Sequence, residues 1–199
     1  MARASADVTD MRSLAALGAL SVLVLGSAPQ ALALSKTPAS FGHAVRPHGK
    51  TSRTALLGAL EADIVARINA QRGARGLRSL RVSRRLTAAA NYHCHEMGLF
   101  GFFEHESRNG APFWRRIARF YPSRHYRHWS VGENIFWESP EASAASAVHE
   151  WMMSPPHRDN ILTREYREVG VAAVHYSSAS GAFGAGPVTI VTADFGVRR

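Results

Sequence analysis

Two apolar runs near the carboxyl end constrain this chain more than any other feature. Val169 to Tyr176 and Val188 to Phe195 have the length and β-branched content of buried strands. Ser177 to Gly186 between them is small and turn-rich and reads as a hairpin loop. Helical patterns fill the chain before them. Helices followed by an antiparallel pair argue for an α+β fold, with helices packed on a small sheet.

The single cysteine, Cys94, rules out an intrachain disulfide and a multi-cysteine zinc cluster, so stability has to come from the core. The 199 residues suit one domain plus extra sequence, and a hydrophobic fraction of 46% is globular. Lys+Arg of 24 against Asp+Glu of 15 gives a net charge of +9, carried almost wholly by arginine, since only Lys36 and Lys50 are lysines. Such a surface attracts polyanions. An anionic envelope polymer or lipid is the partner class expected. Nucleic acid is not, because no aromatic-interleaved basic motif or recognition helix stands out.

Arg12, the apolar run Leu14 to Leu25 and the small residues Ala31-Leu32-Ala33 read together as a secretory signal peptide over residues 1–33. The run is short for a membrane span, so a mature chain without a transmembrane segment, secreted or periplasmic, is expected. Met11 is an alternative start to Met1. Residues 34–53 are rich in Ser, Pro, Gly and His and read as a flexible linker, leaving 54–199 as the folded domain.

Leu57, Leu60, Ile64 and Ile68 form one helical stripe, with Thr54 as the expected cap and Gly73 and Gly76 as stops. Ser83 starts a second helix, which Gly98 ends. Leu86, Ala89, Ala90, His93 and Met97 share its apolar face, so His93 is expected to be a hydrogen-bonded core residue. Phe100 to Phe103 anchor a loop that carries His105. Gly110 to Tyr121 is amphipathic, with Phe113, Ile117 and Phe120 inside and Arg115, Arg116 and Arg119 outside. Glu133 lies on a short extended segment, Val131 to Phe136. Ser139-Pro140-Glu141 reads as a helix start, and that helix runs to Met153. The break at Pro155-Pro156 then presents His157 and Arg158 before Ile161 and Leu162.

Ile68-Asn69 with Arg72, Phe102-Phe103-Glu104-His105, Gly132-Glu133-Asn134-Ile135, Trp151-Met152 with Ser154, His157-Arg158 and Asn160-Ile161-Leu162, Val169-Gly170-Val171 and Asp194-Phe195-Gly196 occur in that order. Over residues 54–199 the chain resembles the bacterial branch of the CAP superfamily, which takes in cysteine-rich secretory proteins, antigen 5 and pathogenesis-related proteins and is also called the SCP domain. The resemblance implies an α-β-α sandwich with a small antiparallel sheet between helices. It also implies a cleft lined, in eukaryotic members, by two histidines and two glutamates that bind a divalent cation. His105 and His157 fall at the histidines and Glu133 at the first glutamate. Ser154 stands where the second glutamate would be. Glu150, one helical turn earlier on the same face, is not a match.

Two imidazoles and a carboxylate suit a divalent cation such as zinc and leave a position open for water, which such an ion activates. Ser154 near His157, with Glu133 to orient it, has the residue types of a nucleophilic pair. A serine before two prolines also caps turns. Three functions stay open: a secreted or periplasmic module binding a small amphipathic ligand or envelope component, a metal-dependent hydrolase of peptidase type, and a structural envelope protein. No residue is assigned as catalytic. His105, Glu133, His157 and Ser154 are the expected cleft, and the first three the expected metal ligands.

Overall fold

The computed structural model describes residues 53–199. The signal-peptide and linker readings over 1–52 lie outside the described residues, and Arg53, assigned to the linker, opens the first helix. In chain order the elements are α1 (Arg53–Gly73), β1 (Arg81–Val82), α2 (Arg84–Phe100), α3 (Phe113–Phe120), β2 (Trp129–Glu138), α4 (Ala144–Met153), α5 (Pro155–Leu162), β3 (Glu168–Tyr176) and β4 (Val188–Arg198). The sheet order is β1-β3-β4-β2. β3 and β4 form the expected hairpin, β2 pairs antiparallel with β4, and the two-residue β1 adds a parallel pair at the other edge.

Side chains alternate across a strand, and here the alternation feeds two helical layers. Val169, Val171, Val191, Ala193 and Phe195 meet Ile64, Ile68, Trp151 and Ile161 from α1, α4 and α5. Ala172, Ile190 and Ile135 meet Ala90, Cys94 and Met97 of α2 on the opposite face. Leu86 and Ala89 pack with Ile117 of α3 and with Tyr121. The result is the α-β-α sandwich, with β1 the one parallel addition. Each fully buried Ile or Leu side chain stabilises it by roughly 1.5–3 kcal/mol.

Several local readings shift. Thr54 lies inside α1 and is not its cap. Gly98 does not end α2; it lets the ring of Tyr176 lie against the helix, where any Cβ would collide. The stop is Gly101, in the left-handed region at φ 70°. The fourth helix starts after Ser143, whose side chain accepts from the Ser146 amide at 3.0 Å, and not at Ser139-Pro140. The prolines at 155 and 156 open α5, because proline suits the first turn of a helix. His157 therefore sits on a helix and not at a bare turn.

Candidate functional site

Glu133 is the centre of the site. It sits in β2 directly opposite Asp194 of β4, on the α2 side of the sheet, and its side chain has no exposed surface. The Arg116 guanidinium donates to Glu133 Oε2. The His105 ring donates from Nδ1 to Oε1 at 2.9 Å, which leaves the His105 Nε2 as the open nitrogen. His93 Nε2 lies 3.9 Å from the same Oε1. Both carboxylate oxygens are thus committed inside the protein.

Arg116 does more than neutralise Glu133. It also donates to the His105 carbonyl at 3.2 Å and to Ser107 Oγ at 3.1 Å. His93 donates from Nε2 to the Glu104 carbonyl at 2.9 Å. Two buried cations or polar rings therefore brace the loop that presents His105. Arg116 was expected outside, yet it is 2% exposed. Phe113, Arg116, Ile117 and Phe120 are spaced i, i+3, i+4, i+7, so Arg116 lies on the buried stripe of α3. A charge on such a stripe requires a partner, and that was the signal to follow.

His157 and Ser154 complete the cleft from the other helical layer. His157 Nδ1 and Ser154 Oγ are 2.9 Å apart. Ser154 makes no side-chain cap bond; its backbone closes α4 and opens α5. The rings of His105 and His157 have centroids 5.9 Å apart at 41°, and Phe113 lies 6.2 Å from His105. The His105 side chain is 38% exposed. The structure therefore brings together all four expected residues but pairs them as His105–Glu133 and His157–Ser154. Glu133 does not orient His157, so a Ser–His–Glu triad is not assembled. Glu150 is exposed.

The electrostatics separate the roles. Burial alone would raise the Glu133 carboxyl, but the Arg116 charge, the His105 hydrogen bond and His93 outweigh it and hold the group below the usual carboxylate range. Asp194 is raised well above its ordinary value by burial and by the Glu133 charge. A hydrogen bond shared with the Glu133 side chain raises it further. Asp194 is therefore held as the neutral acid beside an ionised Glu133. Burial and the neighbouring His105 lower His157 to about 4, so its ring is neutral at pH 7. His93 is lowered chiefly by burial.

The donors left for a divalent cation are few. Both Glu133 oxygens are engaged, and among the described residues no group of three or more His, Cys, Asp or Glu side chains is arranged to hold a metal ion. What remains for an ion is two imidazoles.

The family-motif residues outside the cleft hold the sheet edge. β2 is an edge strand, and its outward carbonyls at Glu133 and Ile135 are taken by Asn160 Nδ2 at 3.0 Å and Trp151 Nε1 at 3.0 Å. Asn134 Nδ2 donates to the His157 carbonyl at 3.0 Å, and Gly132 leaves the room that Asn160 and Tyr166 occupy. The fully buried Arg72 donates to the Ile161 and Thr163 carbonyls at 2.7 and 2.9 Å, closing the end of α5.

Comparison with known proteins agrees with this architecture. The family model described as CAP, cysteine-rich secretory protein family, matches residues 65–195. The uncharacterized protein YkwD of Bacillus subtilis (strain 168) is 30% identical over 145 residues, covering 72% of this chain and 52% of that protein. The chain thus spans about half the length of the curated relative it matches. An extracellular protein containing a SCP domain from Bacillus anthracis is similar in fold, with TM-score 0.57 at 20% identity over 77% of this chain and 45% of that one. An outer surface protein from Borrelia burgdorferi has TM-score 0.55 at 17% identity over 70% of this chain and 95% of that one.

Proposed function

The chain belongs to the CAP family of cysteine-rich secretory proteins, and on that premise we propose that it is an extracytoplasmic binding module. Its cleft takes a small amphipathic ligand or envelope component against His105, His157 and Phe113. The signal-peptide pattern supports the location, and the extracellular and outer-surface proteins of similar fold are in keeping with it.

One observation carries the preference for binding over catalysis. Glu133, the only site carboxylate held ionised, has both oxygens bound by Arg116 and His105. A general base must reach the proton it takes, and Glu133 has no exposed surface from which to do so, with each oxygen already accepting from a buried partner. A neutral His157 and an open His105 Nε2 offer hydrogen-bonding groups beside an aromatic wall, which suits a ligand with one polar and one apolar end.

The test pairs a neutral amphipathic dye, Nile red, with a hydrolysis assay on labelled casein, each with and without zinc. Saturable dye binding that weakens in His105→Ala and His157→Ala, with casein cleavage at background, is the expected result. Cleavage above background that vanishes in His157→Ala would establish the hydrolase instead.

The spacing of the two imidazoles favours a second reading. Centroids 5.9 Å apart are close to the roughly 5 Å that two histidines sharing one tetrahedral zinc would show. In that reading the ion is held by His105 and His157 with outside ligands, and Glu133 serves only to orient His105. Zinc would then raise the melting temperature of the wild type but not of His157→Ala.

A further inference from the structure

A second cavity lies at the far end of the β2–β4 pair, away from the His–Glu cleft. Its volume is about 430 Å³, and Arg85, Pro122, Arg124, His125, Tyr126 and Arg198 line it. We propose that this cavity is a binding site for a phosphate group.

Three arginines from three separate segments line it: Arg85 from the first turn of α2, Arg124 from the loop after α3, and Arg198 from the end of β4. Among the described residues none of the three has a carboxylate within ion-pair distance. The carboxylate of Glu168, on β3, accepts instead from the Tyr121 hydroxyl. Gathering unpaired positive charges around one concavity is unfavourable unless an anion joins them.

Arg198 is held in place for such a ligand. Its guanidinium lies 4.2 Å from the ring centre of the fully buried Tyr121 and 5.0 Å from that of Tyr126. Stacking fixes the plane of the group and leaves its edge to donate.

The start of α2 adds to the field. Arg84 and Arg85 occupy its first turn, where acidic side chains are favoured, and Ser83 makes no side-chain cap bond. The positive end of a helix of 17 residues is thus left without a compensating anion of its own. Arginine forks match the oxygens of a phosphate in paired hydrogen bonds. The cavity exceeds a single phosphate, and Pro122 and Tyr126 give it an apolar wall for an attached group.

The test uses the full chain and inorganic phosphate as probe, titrated against sodium chloride at equal ionic strength while the melting temperature is followed. Phosphate should raise the melting temperature of the wild type. The effect should need at least about tenfold more phosphate in Arg85→Gln/Arg124→Gln, a variant that leaves the Arg198 stack intact, and should vanish when Arg198→Gln is added. A control variant, Arg78→Gln/Arg115→Gln/Arg164→Gln, removes the same charge from exposed arginines elsewhere and should keep the wild-type response. Co-sedimentation with phosphatidylglycerol vesicles against phosphatidylcholine vesicles separates the sources. Capture lost in the cavity variants and competed by free phosphate assigns a lipid headgroup, whereas a thermal response without capture assigns a soluble phosphate compound. No response to phosphate, or an equal loss in the control variant, would overturn the proposal.

Discussion

Glu133 is the residue on which the cleft depends, and its partners fix what each neighbour does. Removing its charge leaves Arg116 buried without a counterion. Breaking a buried pair from one side costs about 3–5 kcal/mol, so Glu133→Gln should lower the free energy of unfolding by that amount with no ligand present, read from denaturant titrations. Asp194 should behave in the opposite way. Its folded-state pKa is raised, so its favourable contribution is complete below its ordinary value of 3.8 and is lost as pH rises towards the folded value. Asp194→Asn removes that loss, and the melting temperature of the variant should gain on the wild type as pH rises. A deficit that deepens with pH would mean that Asp194 is ionised and paired with Arg116. His157 gives a second pH signature. Its folded pKa of about 4 lies below the ordinary histidine value of 6.5, so the stability it contributes is present above 6.5 and is lost as pH falls towards 4. The loss is at most about 3 kcal/mol. His157→Gln should flatten that part of the stability curve, as read from denaturant midpoints across the range.

At the scale of elements, the motif residues act chiefly as edge caps. Trp151 and Asn160 satisfy carbonyls that the edge strand β2 would leave bare. Leaving one such buried group unpaired costs about 1–3 kcal/mol, so Asn160→Ala should lower stability by that much and weaken the docking of α5, with hydrogen exchange faster in α5 than in α2. Equal acceleration in both helices would place the loss elsewhere. The helices and strands were legible because stripes of Leu, Ile and Val state which face is buried. The sandwich followed once those stripes and the hairpin were combined. The cleft was legible only through resemblance: His105, Glu133 and the Ser154–His157 pair come from three separate segments, and no local pattern says that those segments meet. Asp194 was hidden for the same reason, since its meeting with Glu133 depends on the register of β2 against β4. Arg116 was legible in principle, because its spacing placed a charge on the buried stripe. Composition pulled the reading the other way, since arginine is common on this chain's surface. The helix boundaries at Ser143 and Gly101 depended on which of several small residues the turns used, and local propensity does not rank those.

On the scale of the whole molecule, the described domain holds no disulfide cross-link. Cys94 is fully buried, its thiol 3.2 Å from Thr192 Oγ1, and burial pushes its pKa up to about 12. Such a thiol is protonated and shielded, and so inert towards a disulfide reagent in the folded state. Its rate of modification should follow global unfolding across a denaturant series, and reducing agent should leave the melting temperature unchanged. Fast modification in native buffer would mean that α2 opens locally from the sheet. The excess positive charge is distributed over this rigid frame, and the arginine cavity concentrates it at one end while the cleft holds its own charges balanced. The two sites are thus different in kind. One is an internally neutralised polar cluster with an open imidazole face, and the other is an unneutralised cationic cup.

We propose that Glu133 is a charged anchor and not a working base, and carbon-detected NMR titration of its side-chain carboxyl tests this most directly. The carboxyl should titrate below the ordinary glutamate value of 4.5, while Asp194 stays protonated well above 3.8. A Glu133 carboxyl that titrates at or above 4.5 would contradict the claim and return the cleft to the catalytic reading.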